Sequence, residues 1–224
     1  MRPWETLAEA DAPDGERLVL RRRGHEYLIV VGGWDLMSSR DDTTARALST
    51  IGIDALRERA GARVLIGGLG MGYTLAAACD ALPSDAHIEV AELVPAVVEW
   101  NRGPLADLAG RPLEDPRVEV FVGEVAARIK AAKAGEFDAI LLDVDNGPEP
   151  LAHEENAWLY GRAGLREAHR VLRPGGVFGV WSYSAEGSFD RTLKSAGFEA
   201  SVHKVANRGR DRGRTHAIWL GRRR

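Results

Sequence analysis

The sequence predicts an α/β fold: a doubly wound, mostly parallel, Rossmann-like sheet with a small β appendage at its amino-terminal side. Three observations carry this expectation. Apolar runs of strand length recur between residues 64 and 183 with helix-compatible stretches between them, and such alternation makes successive strands parallel with helices on both faces. The run VLIGGLGMG at 64–72 breaks from a strand into glycines at alternate positions, Gly68, Gly70 and Gly72. The run FDAILLDVDNGP at 137–148 holds a short continuous apolar stretch followed by acids, as in a strand buried on both faces.

The elements follow in order. Residues 17–37 read as two or three short strands with a turn at Gly32 and Gly33, and residues 38–42 can cap a connecting helix that runs to about Arg59. After the glycine turn, residues 74–81 suit a helix, and HIEVAEL at 87–93 is a second apolar strand ending in Glu92. Residues 117–121 make a third strand, closed by Gly123 and Glu124, and 139–142 a fourth. Helical spacing over 164–172 is stopped by Arg173-Pro174-Gly175-Gly176, then 177–183 is strand-like and 189–196 helical. An antiparallel pair, 199–205 and 215–220, flanks the loop ANRGRDRGR.

Length and composition agree with one sizeable core and a small extension, since the chain has 224 residues. Cys79 is the single cysteine, so no internal disulfide is available, and its position in the helix after the glycine turn suits core packing better than nucleophilic chemistry. The first residues lack a charged-then-apolar signal and no apolar run approaches a membrane span, so a cytoplasmic protein without membrane attachment is expected. Formal net charge is −3, unevenly spread: from Ser201 onward eight Lys or Arg stand against Asp211. No aromatic is interleaved in the basic loop 206–214, which favours a solvated loop and end over a nucleic-acid surface. The six histidines are scattered without ligand spacing, so no metal is expected, and no Gly-x-Ser-x-Gly elbow supports an acyl-transfer triad.

The glycine run decides the ligand class. A dinucleotide fingerprint G-x-G-x-x-G would place its third glycine at Tyr73, or at Leu75 counted from Gly70, which weakens a nicotinamide reading. The G-x-G-x-G form instead resembles the first motif of class I S-adenosylmethionine (SAM) transferases, whose donor carries no phosphate. Glu92 ends the second strand twenty positions after Gly72, where a carboxylate can accept from both hydroxyls of an adenosine ribose. Leu69 and Leu93 stand beside it, and Glu124 with Val125 can meet the adenine. Asp143, at the carboxyl end of a buried strand, lies on the sheet edge where ligands bind. A simple turn role is the alternative for Asp143, and more so for Asp145, because Asp145-Asn146-Gly147-Pro148 is also good turn chemistry.

The order GGLGMG, an acid after the second strand, EDPRVEV, FDAILLDVDNGP, then LY before a helix ending RPGG resembles the spermidine synthase family of aminopropyltransferases, over residues 64–176. The resemblance implies that Gly68, Gly70, Gly72, Glu92 and Glu124 line the nucleoside site and that Asp143 faces the reacting amine. It also implies an appendage with the start of a linker helix over 1–50, a SAM-binding domain over 51–224, and a homodimer. This chain departs from the family pattern. The family's G-G-G-D-G-G aspartate position holds Gly70 or, shifted by one, Met71, and its D-x-x-D pair becomes Asp143 and Asp145. Its Gln and Tyr-His-Glu cluster fall at Leu36 and at Ala45-Arg46-Ala47. A carboxylate at the aspartate position would repel the carboxylate of SAM and favour decarboxylated SAM, so its loss favours SAM. The expectation is methyl transfer from SAM to a small-molecule acceptor, with Asp143 taking the proton and Asp145, Trp158, Tyr160 and Trp34 around the acceptor. Aminopropyl transfer from decarboxylated SAM and non-catalytic SAM binding are the alternatives.

Overall fold

The computed structural model describes residues 2–13, 15–144, 157–185, 188–207 and 215–224. Four strands form an antiparallel appendage: β1 (Glu5–Asp11), β2 (Arg17–Arg23), β3 (Glu26–Val31) and β4 (Trp34–Ser38), in that spatial order. Helix α1 (Thr43–Gly52) leads to β5 (Arg63–Gly67), α2 (Tyr73–Ala81), β6 (His87–Glu92), α3 (Pro95–Arg102), β7 (Val118–Val122), α4 (Val125–Ala131) and β8 (Phe137–Leu142). Then come α5 (Ala157–Tyr160), α6 (Arg162–Val171), β9 (Leu172–Ser182), α7 (Phe189–Ser195), β10 (Phe198–Ala206) and β11 (Thr215–Arg223).

The main sheet has seven strands in the order β10-β11-β9-β8-β5-β6-β7. Strands β9, β8, β5, β6 and β7 are parallel, and β11 pairs antiparallel with both β9 and β10. Chain order reverses at β5, flanked by β8 and β6. The crevice beyond the carboxyl ends of these strands is the ligand edge of such a sheet.

Period-two alternation builds two cores. Val64, Ile66, Ile88, Val90, Ala139 and Leu141 pack with Leu48 of α1, Leu75 and Ala78 of α2, and Val97 and Val98 of α3. Leu65, Ala91, Ile140, Leu142, Phe178 and Val180 face the other way, onto Ile129 of α4, Leu165 of α6 and Leu193 of α7. Leu18, Leu20 and Ile29 of the appendage join the first cluster, so the appendage shares the α1–α3 core.

Three local expectations change. Strand β1 escapes sequence reading because ETLAEAD is rich in acids and alanine, poor strand formers; pairing with β2 recruits it, helped by the Arg17–Glu9 and Arg22–Glu5 ion pairs. The connecting helix stops at Gly52 rather than near Arg59, where the backbone presses on the sheet so closely that a Cβ would meet Leu141 Cδ2 at 2.6 Å. A single 3-10 turn at Asp54–Leu56 follows. Strand β9 starts at Leu172, ahead of the Arg173-Pro174-Gly175-Gly176 stop; Phe137 pairs Leu172 and Ala139 pairs Val177, so the stop sequence is an outward excursion of the strand.

Candidate functional site

Backbone hydrogen bonds stitch four strand ends into one frame. Asp143 N–H donates to the Gly67 carbonyl at 2.8 Å, Gly68 N–H to Ala91 at 2.8 Å, and Gly123 N–H to Glu92 at 2.9 Å. Gly67, Glu92, Gly123 and Asp143 are thus neighbours along one edge.

The three glycines of the turn all have positive φ, +87° at Gly68, +52° at Gly70 and +81° at Gly72, a region that favours glycine. Each abuts a different part of the protein. A Cβ on Gly68 would meet the Asp143 carbonyl oxygen at 2.5 Å; on Gly70 it would meet Met37 Cε at 2.6 Å and Sδ at 2.9 Å; on Gly72 it would meet Asn101 Oδ1 at 3.0 Å. The turn is therefore shaped by β8, the appendage and α3 together.

Glu92 is 8% exposed. One of its carboxyl oxygens accepts from Leu69 N–H and the other from Val94 N–H, both at 2.9 Å. Burial raises its pKa, opposed by the backbone N–H groups of Val94, Leu69, Gly70 and Leu93. Glu92 thus ties the glycine turn to the end of β6, a role beyond the ribose contact expected from sequence. Asn101, 3% exposed on α3, holds the other side by donating to the Gly70 carbonyl at 2.8 Å and the Val97 carbonyl at 2.9 Å.

Over the whole residue Asp143 is half-buried, yet the packing about its carboxyl is dense enough that burial raises its pKa, opposed by a hydrogen bond from Thr74. Thr74 lies at the start of α2, 2% exposed. Thr74, Asn101 and Met37 carry no recognisable signal in sequence beyond, for Thr74, its place two residues after the glycine turn.

The remaining predicted residues differ in burial. Leu93 is 43% exposed beside Glu92, Glu124 is exposed at the start of α4, and Val125 is buried at 6%. Trp34 stands on β4 at 82% exposure. Trp158 packs against the α4–α7 core with Lys130 Nζ 4.2 Å from its ring centroid. Tyr160 is 5% exposed and packs edge-on to Phe189 at 6.1 Å, within the core of that layer. Asp145 lies outside the described residues. Among the described residues there is no cluster of potential metal ligands, and no helix is long and apolar enough to cross a membrane.

The Asp115-Pro116-Arg117-Val118 block has a structural task. Arg117 donates to the carbonyls of Cys79, Leu82 and Pro83, closing the carboxyl end of α2, and pairs with Asp115, whose pKa it lowers. Cys79 beneath it is pushed up to about 12 by burial, which leaves it inert as a nucleophile.

The chain matches no protein-family model. It is 36% identical over 115 residues to putrescine N-methyltransferase 1 of Nicotiana tabacum, covering 51% of this chain and 29% of that protein. It is 28% identical over 200 residues to a polyamine aminopropyltransferase of Mycobacterium tuberculosis, covering 85% of this chain and 36% of that protein. The chain thus spans well under half the length of these curated relatives. A spermidine synthase solved in complex with the transition state analogue AdoDATO superposes with a TM-score of 0.75 at 17% identity, over 98% of this chain and 72% of the other. Spermidine synthase from Thermotoga maritima gives 0.76 at 16%, with the same coverage. Over nearly its whole length the chain therefore has a spermidine-synthase-like fold, a Rossmann-like, mostly parallel seven-stranded sheet with a small antiparallel appendage.

Proposed function

We propose that the chain binds SAM across the carboxyl end of β5 and transfers its methyl group to a small-molecule acceptor held next to Asp143. The observation that carries this reading is the state of the two positions where the family's aspartate would fall. Gly70 has no side chain, and Met71 is 1% exposed in the α1–α3 core, so neither sets a negative charge against the carboxylate of SAM. SAM supplies an electrophilic methyl on a sulfonium. The residues supply placement: Glu92 and the Leu69–Gly72 turn hold the nucleoside, and the frame from Gly67 to Asp143 fixes the acceptor's line of approach. The acceptor's lone pair forms the new bond to carbon as the carbon–sulfur bond breaks, leaving S-adenosylhomocysteine. Asp143 accepts the proton released by the acceptor.

The names of the sequence relatives, putrescine N-methyltransferase and polyamine aminopropyltransferase, point to small amines as acceptors. Aminopropyl transfer from decarboxylated SAM is the second reading, supported by similarity to an aminopropyltransferase over 85% of the chain. A non-catalytic SAM-binding protein is the third. The mass of the nucleoside that co-purifies separates the first two, S-adenosylhomocysteine for methyl transfer and methylthioadenosine for aminopropyl transfer. Turnover of labelled SAM with amine acceptors then separates both from the third.

A further inference from the structure

We infer that Met37 is a movable stopper in the donor site, displaced by the tail that a donor carries on its sulfur and left in place by a nucleoside without one. The inference rests on the donor reading above. Met37 belongs to β4, yet its thioether packs on the turn of β5: its Cε and Sδ lie 2.6 and 2.9 Å from where a Cβ of Gly70 would stand. Gly70 is fixed from behind by Asn101, which takes its carbonyl at 2.8 Å. The turn therefore does not yield, and the free face of Gly70 is closed by the appendage.

A nucleoside with its ribose at Glu92 and its reacting group toward Asp143 crosses the end of β5, because β5 lies between β6 and β8. Its sulfur then lies over the turn, and any tail on that sulfur competes with Met37 for the space before Gly70. Met37 is suited to give way. It is half-buried, unbranched and able to swing about three side-chain torsions. Displacement leaves the thioether exposed and weakens the appendage's hold on the turn, so a tail-bearing donor pays a cost that a tail-less nucleoside does not.

The experiment is calorimetric titration of wild type, Met37→Ala and Met37→Leu with two nucleosides that differ in the tail. S-adenosylhomocysteine carries the amino-acid tail, and methylthioadenosine has a methyl in its place. Removing the stopper should raise S-adenosylhomocysteine affinity by about fivefold or more, the worth of a partly buried Met side chain, and leave methylthioadenosine within about twofold. Met37→Leu keeps the bulk and should leave both near wild type. Hydrogen exchange on wild type gives a readout free of any variant: S-adenosylhomocysteine should speed exchange in β4 and methylthioadenosine should not. Equal changes for the two nucleosides, no change, or a loss confined to S-adenosylhomocysteine overturns the inference while the donor reading stands. Failure of wild type to bind either nucleoside overturns the donor reading itself, and this inference with it.

Discussion

The hydroxyl of Thr74 faces the carboxyl of Asp143 while also lying 3.2 Å from the Ala45 carbonyl oxygen. One hydroxyl hydrogen cannot serve both acceptors. If Asp143 is protonated the conflict disappears, since the acid donates to Thr74 and Thr74 donates to Ala45. Burial acts in the same direction by raising the Asp143 pKa. A carboxyl whose neutral form burial favours holds a transferred proton more firmly than a free carboxylate does, as proton transfer from an acceptor requires.

Asp143→Asn should retain the fold, because the Asn amide has the size of the carboxyl and can either accept from Thr74 or donate to it. If Asp143 is the proton acceptor, turnover should fall by roughly a hundredfold or more while SAM affinity changes little. Steady-state turnover and calorimetric titration on the same preparation check this. Near-normal turnover would leave Asp143 as a turn residue only.

Stability should depend on pH through the same group. A carboxyl whose folded pKa lies above its unfolded value binds more protons in the native state. Its contribution is therefore full below the unfolded value of about 3.9 and is lost as pH rises through the raised folded value. Glu92, also raised by burial, adds with the same sign. Denaturant unfolding of wild type against Asp143→Asn across this range should show a smaller loss in the variant as pH rises. Parallel curves would remove Asp143 from the account.

Glu92→Ala should weaken SAM by roughly 2 to 4 kcal/mol. It should also destabilise the chain, because the Leu69 and Val94 N–H groups lose their acceptor, at about 1 to 3 kcal/mol for each group left buried and unpaired. Glu92→Gln keeps an acceptor oxygen and should cost less on both counts. Thermal unfolding with and without donor separates the two effects. Unchanged donor affinity in a folded Glu92→Ala variant would sink the ribose assignment.

Gly70→Asp should cut SAM affinity about tenfold or more and spare decarboxylated SAM, since unit charges near 6 Å at an effective dielectric of 20 repel by roughly 2 to 3 kcal/mol. The backbone tolerates the change better than most glycine sites. Its φ of +52° is open to Asp, and the atoms in the way are the flexible end of Met37. Met71→Asp is not an equivalent control, because it places a charge in the α1–α3 core and should unfold the chain. Equal losses for both donors in a folded Gly70→Asp variant would count against charge as the discriminator.

Arg117→Met should lower stability by about 2 to 4 kcal/mol, through loss of charged hydrogen bonds to the Cys79, Leu82 and Pro83 carbonyls. Donor affinity should hold in the folded protein. A selective loss of donor affinity would make Arg117 part of the binding site after all.

The sheet is legible in sequence because β5, β6 and β8 are short apolar runs whose ends are marked by glycines or acids. Glu92 and Asp143 are legible for the same reason, being acids placed at the ends of buried strands. Thr74, Asn101 and Met37 are not, since each acts on a residue far along the chain: Asn101 reaches Gly70 across 31 positions and Thr74 reaches Asp143 across 69. No local pattern encodes such a meeting. The packing of Tyr160 is equally illegible, since its contact with Phe189 in the α4–α7 layer spans residues far apart in the chain.

Strand β11 comes last in sequence but second in the sheet, between β10 and β9. During synthesis the ribosome therefore delivers β9 well before the strand that covers its outer edge, and from Val177 to Ser182 the backbone waits without the β11 neighbour. Arg223, which bonds the carbonyls of His169, Arg170 and Leu172, arrives later still. A nascent chain halted before residue 215 presents an open strand edge, the kind of surface that chaperones shield and that other chains can capture. Closure of this flank is a late event, and premature termination there yields a sticky polypeptide rather than a smaller folded domain.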